Sequence, residues 1–461
     1  MTYPKALYTT YLTPFDNGAG NDNTALIPQI WSAESILLLW KELQMARLVY
    51  TNFKNEVAVK GQIINVPKPP KYTSNRTNQK DRVTDQDATV DNVQIALNQN
   101  FDVSFIIKDE EESLTERDLI EFHLPSAIRA IAESVETLVS SERFNFMPNQ
   151  IGQLGQGYSR SLDVDLRTKM SNMKIPKADR YMVHSPTVGG ALLKDGDLPF
   201  AYALGDEGTA LRSGNIGRLN GIQHIETNAF EVFEDTDTIE TAIDNPTGYP
   251  AGTTSFTIDV LGSAPTVGSY LTIAGDMTPL RVTSSTTTSV TVATGTRFAV
   301  ADGAVVTIHV PFLVNNVAGY DYGHISNITV DGRTEPVISG YPLSAGGKYY
   351  GAIDTDASPL STTNLNLTRP LETALSNNDP IGVLPSGDYS LAFIKEAIAL
   401  VTRPMKMPRT GNVKGSVQSI EGISVRVTMS DDHTARGTRV IVDVLCGVKT
   451  LDTDKGVLVL S

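Results

Sequence analysis

Residues 113–146 read SLTERDLIEFHLPSAIRAIAESVETLVSSERFNF, and the periodicity of this stretch decides what kind of fold the chain can have. Ser113 with Glu116 three residues on is a capping box, two side chains that reciprocally satisfy the free amides of a helix start. Leu124, Ile128, Ile131, Val135 and Leu138 then recur at spacings of four and three, the mark of one apolar stripe on an α-helix. Some thirty residues of helix span roughly 45 Å, and one stripe of that length needs a broad partner to cover it. Pro125 lacks the amide that the helix ladder requires, so a kink or short break is expected near His123 to Pro125.

Upstream, NEVAVKGQIINVPKP (55–69) carries Val57, Val59 and Ile63 in alternation with polar residues. VQIALNQNFDVSFII (93–107) alternates even more regularly through Val93, Ile95, Leu97, Phe101, Val103, Phe105 and Ile107. A period of two predicts two long strands. The polar tract between them places Lys68, Lys71, Arg76, Lys80 and Arg82 before Asp85, Asp87 and Asp91, a basic-then-acidic tip that cannot bury a core of its own. Two strands joined by such a tip are marginal alone and are expected to lie on another surface, so these eight charged residues are candidate intersubunit contacts. Further upstream, IWSAESILLLWKELQMARLV (30–49) holds both tryptophans of the chain. Ser32 reads as its N-cap and Glu34 as a first-turn acid. Trp31 and Trp40, nine residues apart, project about 180° from each other at 3.6 residues per turn. Bulk on two sides predicts a helix sandwiched either between layers of its own subunit or between subunits, with Trp31 and Trp40 as candidate intersubunit contacts.

Downstream, residues 163–227 mix helix and strand: VDLRTKMSNM helical, DRYMVHS a strand, PTVGGALLKDG a short helix opened by Pro186 and stopped by Gly196, and GIQHIET a strand. Then the composition shifts. Between Ala251 and Val310 only Asp259, Asp276, Arg281, Arg297 and Asp302 are charged, and Val- and Thr-rich runs punctuated by glycine predict a small β-barrel or sandwich. A weak repeat runs through it: TSFTI at Thr254 returns as TSVTV at Thr288, and GSYLTI at Gly268 as GAVVTI at Gly303. Residues 314–385 read as loops with a few edge strands. GDYSLAFIKEAIALVTRP (387–404) reads as a short helix or turn, followed by strands in GISVRVTMSDD, TRVIVDVLCGVKTL and KGVLVL that are expected to pair with the α+β region. The β-rich segment, about Phe230 to Pro385, is therefore an insertion, and the fold class is α+β with an inserted all-β domain.

Composition excludes several functions. The 461 residues carry 38 basic and 52 acidic side chains, net −14, which argues against a protein held to nucleic acid by phosphate neutralisation. The N-terminal residues lack a charged-then-apolar secretion signal, and no apolar run reaches the length of a membrane span, so folding in a cytosol is expected. One cysteine, Cys446, rules out an internal disulfide framework and reads as a small core residue. Six histidines, at 123, 184, 224, 309, 324 and 433, show no ligand spacing, and no nucleophile elbow, phosphate loop or dinucleotide fingerprint is present. GQLGQGYS (152–159) reads as a flexible joint. Asp235 with Asp237, Asp354 with Asp356, and DTDKG at Asp452 resemble pieces of calcium loops but read as solvated turns. No catalytic residue, metal ligand or cofactor is assigned.

The series of greasy N-terminal helix, long hairpin, long helix, α+β domain, β insertion and returning strands resembles the major capsid proteins of tailed bacteriophages, a fold shared with encapsulins. DYSLAFIKEAIALVTRP and VIVDVLCGVKTLDTDKGVLVL look like the closing segments of the subfamily with an inserted β-barrel. RYMVHSPTVGGALLKDG and GNIGRLNGIQHIETN look like its central domain. The resemblance implies an N-terminal arm (1–50), an extended loop (51–110), a spine helix with peripheral domain (111–165), an axial domain (166–229), the insertion with loops (230–385) and C-terminal strands returning to the body (386–461). It also implies self-assembly through hexamers and pentamers into an icosahedral virion shell built in the host bacterial cytoplasm. The implied partners are a separate scaffolding protein, a portal protein and packaged double-stranded DNA held by weak non-specific contact, with no membrane. The alternatives are an encapsulin-like compartment shell and an extracellular fibre or adhesin.

Overall fold

The computed structural model describes residues 27–51, 63–67, 74, 92–108, 116–194, 216–230, 232–323, 327–353, 360–407, 413–432, 434 and 437–461. The N-terminal helix α1 (Ile27–Glu42) is followed by strands β1 (Ile63–Pro67), β2 (Asn92–Ala96) and β3 (Gln99–Lys108) and by the long helix α2 (Glu116–Ser141). Next come β4 (Gln150–Gly152), α3 (Arg160–Asn172), β5 (Arg180–His184), α4 (Pro186–Lys194), β6 (Arg218–Leu219) and β7 (Ile222–Glu226). The C-terminal part returns as β20 (Tyr389–Ile394), β21 (Ile398–Arg403), β22 (Val413–Ile420), β23 (Ile423–Asp432), β24 (Gly437–Thr450) and β25 (Gly456–Leu460), and strands β8 to β19 lie between β7 and β20.

Helix α2 organises the body. Leu124, Ile128, Ile131, Val135 and Leu138 are all buried in the main core. That one-sided burial carries the helix through Pro125 without the expected break, since packing of the stripe outweighs one lost backbone hydrogen bond. It ends at Ser141, and Glu142–Asn149 tighten into a 3-10 segment.

Two sheets contribute to the same core. In the first, of order β4-β25-β20-β5-β7-β6, strands from the C-terminus enter the middle of the α+β region. Successive side chains of a strand point to opposite faces, and here both faces are covered. Leu391, Phe393, Leu458 and Leu460 belong to the main core, while Ala392, Ile394, Val457 and Val459 pack with Leu166, Met170 and Leu192 from α3 and α4 on the other side. Two-sided burial explains the misreading of residues 387–404: every residue of β20 and of β21 is buried, so the apolar run has no alternation to betray a strand. Only Lys395–Ala397, between them, is a helical turn.

The second sheet has β24 as its long central strand, paired with β3 along one edge and with β23 and β21 along the other, β22 lying outside β23. The 93–107 alternation therefore serves two sheets. β2 pairs with β1, and after Leu97 and Asn98 the chain resumes as β3 against β24. Cys446 is fully buried on β24, and burial pushes its thiol up to about 12, as a core residue requires.

The insertion holds two closed barrels. Barrel A consists of β8 (Thr238–Ala242), β9 (Ser255–Thr257), β10 (Tyr270–Ile273), β11 (Asp276–Ser285), β12 (Ser289–Val292) and β13 (Val305–His309), in the order β8-β13-β10-β11-β12-β9, and an Ile243–Ile258 bridge joins the two ends. Its interior, including Phe256, Leu271, Leu280, Val290 and Ile308, is a core of its own. Residues 314–385 are not the loops and edge strands expected. They form barrel B: β14 (Phe312–Val314), β15 (Ile328–Asp331), β16 (Pro342–Ala345), β17 (Lys348–Gly351), β18 (Asn364–Leu365) and β19 (Pro380–Val383), in the order β17-β16-β19-β14-β15-β18, closed by an Ala352–Leu367 bridge. Its strands are short and its interior is continuous with the main core, so few of them show the alternation of a free-standing barrel. Where the insertion leaves and rejoins the body, Phe233 and Gly387 pair by reciprocal backbone hydrogen bonds of 3.1 and 2.9 Å.

Candidate intersubunit surface

Helix α1 begins at Ile27, so Ser32 is not its N-cap; the Ser32 hydroxyl donates back to the Gln29 carbonyl at 3.0 Å inside the helix. Apolar side chains surround the helix on more than one side. Trp31, only 2% exposed, packs against Phe105 of β3 with ring centroids 6.0 Å apart, and Phe105 in turn stacks on His123 of α2 at 5.3 Å. Ile36, Leu39 and Leu43 join the same core. Trp40 is half-buried, with the Arg47 guanidinium 5.7 Å from its ring centre. Ile30, 49% exposed, Leu37 and Lys41 form an outward stripe.

The C-terminal end of α1 is held by an acid on α2. Glu136 is buried, and its carboxylate accepts from the backbone amides of Gln44 at 2.7 Å, Met45 at 3.0 Å and Ala46 at 3.1 Å. Burial raises its pKa, and the three amides and Arg47 act in the opposite direction. Nothing in the local sequence marks Glu136 as an anchor; its partners lie about ninety residues away.

The β1–β2 ribbon is fixed at its root. Val66, Ile95 and Leu97 are buried against Ala399, Val401 and Leu445. Gly447 lets the Ala96 carbonyl approach the sheet so closely that any Cβ there would collide with it. Ile63, paired with Ala96, is 53% exposed. Lys68, Lys71, Arg76, Lys80, Arg82, Asp85, Asp87 and Asp91 lie outside the described residues, as do Val57, Val59, Ser113, Gly196, His324, Asp354, Asp356 and His433.

The titratable groups that do converge are structural. Parallel pairing of β5 and β7 brings His184 and His224 to 5.8 Å between rings, and the His224 Nε2 lies 3.3 Å from the Asp163 carboxylate, which accepts from Tyr158 at 3.0 Å and Asn220 at 2.6 Å. Burial holds the His184 pKa down at about 4. His184, His224, Tyr158 and Asp163 are buried where the sheet meets α3, and among the described residues no group of three or more His, Cys, Asp or Glu side chains is placed to hold a metal ion.

Asp235 is not a solvated turn residue. It is buried where the two barrels meet the body, and it accepts from His309 Nδ1 at 2.8 Å and from the Arg333 guanidinium, which also donates to the Val310 carbonyl and lies 5.1 Å from the Phe312 ring centre. Burial pushes the Asp235 carboxyl up, but these two partners hold it below the usual carboxylate range. Asp237 accepts from the Thr334 amide at 2.7 Å. Asp452 does cap a turn, accepting from the Asp454 amide at 3.2 Å. In the 152–159 joint, Gly152, Gly155 and Gly157 take positive φ, and the Leu154 amide donates to Met277 of barrel A at 3.1 Å.

No helix among the described residues is long and apolar enough to cross a membrane. No protein-family model matches the chain, and no curated protein matches it. Solved structures similar to it include the capsid of Ralstonia phage GP4, at 9% identity over 90% of this chain and 90% of that one with a TM-score of 0.39. The acidic stable capsid structure of Helicobacter pylori bacteriophage KHP30 matches at 8% identity over 100% of this chain and 98% of that one, TM-score 0.39. The capsid structure of the cyanophage P-SCSP1u matches at 11% identity over 89% and 90%, TM-score 0.38.

Proposed function

We propose that this chain is the major capsid protein of a tailed bacteriophage, a structural protein that assembles with copies of itself into an icosahedral head around double-stranded DNA. One observation carries the reading: a single core joins an N-terminal helix, a 26-residue helix and a sheet completed by the C-terminal strands, with the root of a two-stranded ribbon held in a smaller cluster of its own and the barrels spliced between β7 and β20. A shell subunit needs projecting elements that reach neighbours, and both the ribbon and the outward stripe of α1 supply them without any reactive centre.

In this reading the exposed part of Trp40, whose remainder packs on its own core, covers a neighbouring subunit with Ile30 and Leu37, while Trp31 is wholly taken up by its own subunit. Burying the exposed part of an indole removes on the order of 100 Å² from water, or about 2 to 3 kcal/mol at 25 cal/mol per Å². The charged tip from Lys68 to Asp91 sets register, since exposed ion pairs contribute only about 0 to 1 kcal/mol each. Repeated head-to-tail contacts of this size close into rings and then a shell. A separate scaffolding protein, a portal protein and weakly held DNA complete the assembly, in the host cytoplasm.

Electron microscopy of the purified chain, alone and with a scaffolding protein, tests this directly. Closed shells or sheets are expected, and monodisperse monomers under all conditions would overturn it. Trp40→Ala should lower assembly yield and, because part of the ring packs on its own core, also lower the subunit's melting temperature; unchanged assembly removes Trp40 from the interface.

A further inference from the structure

Barrels A and B have the same strand order. With strands lettered a to f along each chain segment, both close as a-f-c-d-e-b, every pair antiparallel, the closing bridges included. The agreement extends to register. Ala242 faces Val305 in barrel A and Leu313 faces Pro380 in barrel B; Leu271 faces Ile308 and Leu343 faces Val383; Phe256 faces Val290 and Ile328 faces Leu365. Each counterpart in barrel B stands 70 to 75 positions further along the chain, the offset changing only in loops and at a β-bulge.

Irregular details repeat too, and these no general barrel requirement imposes. NPTGY (245–249) and NVAGY (316–320) make one turn twice: the Asn side chain donates to the Gly carbonyl at 2.8 and 3.0 Å, and the Gly amide to the Asn carbonyl at 2.8 Å in both. Gly248 and Gly319 have φ of 65° and 70°, and a Cβ on either would collide with the carbonyl of the same counterpart residue, Val300 or Leu375. The Tyr249 hydroxyl accepts from the Thr257 amide at 2.9 Å, and that of Tyr320 from Thr329 at 2.7 Å. Across the barrel, the amide of Asn245 donates to the Asp302 side chain at 3.0 Å and that of Asn316 to Asn377 at 3.1 Å. Before strand e, the Thr286 hydroxyl accepts from the amides of Thr288 and Ser289, and the Ser361 hydroxyl from those of Thr363 and Asn364.

From this we infer that the two barrels are tandem copies of one unit and that the first copy is a self-contained module carried by the body. Copy B has merged its interior with the main core, whereas copy A keeps a separate one. The same corner docks each copy: Gly340 of copy B faces Thr137 of α2, and its counterpart Gly268 of copy A packs on Pro380 of copy B. The ends of copy A also adjoin, for the Val310 amide donates to the Asp237 carbonyl at 3.0 Å. Removing residues 238–309 therefore leaves a chain that rejoins without a gap. The short repeat of about 34 residues seen in the sequence is a different thing: its members, β9 with β12 and β10 with β13, are antiparallel neighbours inside one copy.

The module claim is tested in the full chain by hydrogen exchange on two substitutions at counterpart core positions. Phe256→Ala should raise exchange tenfold or more across residues 238–309 and leave α2 and β20 to β25 unchanged; Ile328→Ala should raise it in barrel B and α2 together. Equal loosening of the body by both would show one cooperative unit and overturn the proposal. Deleting residues 238–309, with Asp237 joined to Val310, should give a folded body whose β20 to β25 stay protected; an unfolded product would also overturn it. Equivalence of the copies is tested by exchanging NPTGY with NVAGY and TTTSV (286–290) with STTNL (361–365) in one chain. Protection within about twofold of the parent is expected, and loss of either barrel would refute a common unit.

Discussion

Barrel A and barrel B share a strand order, a register and a set of turns, yet one stands apart and the other is part of the body. The difference lies in what covers their outer faces. Barrel A has a closed core, a surface rich in Thr and Ser, a small seat on its sister through Gly268 and Tyr270, whose hydroxyl lies 3.4 Å from that of Tyr349, and two hydrogen bonds to the 152–159 joint of the body, Leu154 to Met277 and Arg297 to Gly152. Barrel B is packed on α2 and the C-terminal sheets, and it contributes buried polar ties such as Arg369, which meets Glu142 at 3.2 Å. The same fold therefore serves as a free module or as a structural wall, and the choice is made by neighbours rather than by topology.

The sharpest way to break this comparison is at the paired glycines. Gly248→Val and Gly319→Val each force a Cβ into a carbonyl and a branched residue into positive φ, costing about 3 kcal/mol or more. Calorimetry should show Gly319→Val lowering the melting of the whole body and Gly248→Val lowering only a transition confined to barrel A. Equal global effects would mean that the barrels do not differ in coupling.

Next in size is the junction. Arg333→Ala leaves Asp235 buried with His309 as its remaining side-chain partner, a loss of about 3 kcal/mol. Protease susceptibility of the 310–312 linker should rise while both barrel interiors stay protected; an unchanged digestion pattern would show that the ion pair does not hold the barrels in place.

Acid separates the regions further. The His184 pKa is depressed from 6.5 to about 4, so its contribution is complete above about 6.5 and is lost as pH falls toward 4, up to about 3 kcal/mol. The Asp235 carboxyl is also depressed, from 3.8, so its contribution is complete above about 4 and is lost only as pH falls below that. Exchange followed against pH should therefore show β5 and β7 loosening before the barrel junction, and the reverse order would contradict both assignments.

The smallest effect is the most symmetrical. Tyr249→Phe and Tyr320→Phe each remove one hydroxyl that accepts a backbone amide, about 1 kcal/mol in either barrel. Similar losses by chemical denaturation would support equivalent roles, and a severalfold difference would argue against them.

What could be read in advance follows from how many faces each element buries. The stripe of α2 is one-sided, so Leu124 to Leu138 announced a helix and its buried face; the Val- and Thr-rich runs of barrel A, punctuated by glycine, announced a small barrel or sandwich. β20 and β21 are covered on both sides and read as a turn or helix. Barrel B was hidden for the same reason, its short strands being finished by a core they share with α2. Asp235 reads as a solvated turn and Glu136 carries no mark of an anchor, because their partners, Arg333 and Gln44 to Ala46, are remote in sequence.

By itself the sequence determined the secondary-structure periods, the absence of a recognisable catalytic or metal-binding motif, and the insertion of a β-rich segment into an α+β chain, since these depend on residue types at local spacings. Only the tertiary structure decided that Trp31 lies on Phe105, that β24 builds a second sheet with β3 and β23, and that the insertion is one unit built twice. Those outcomes depend on pairings across tens to hundreds of residues, where register and shared burial, not local propensity, set the energy.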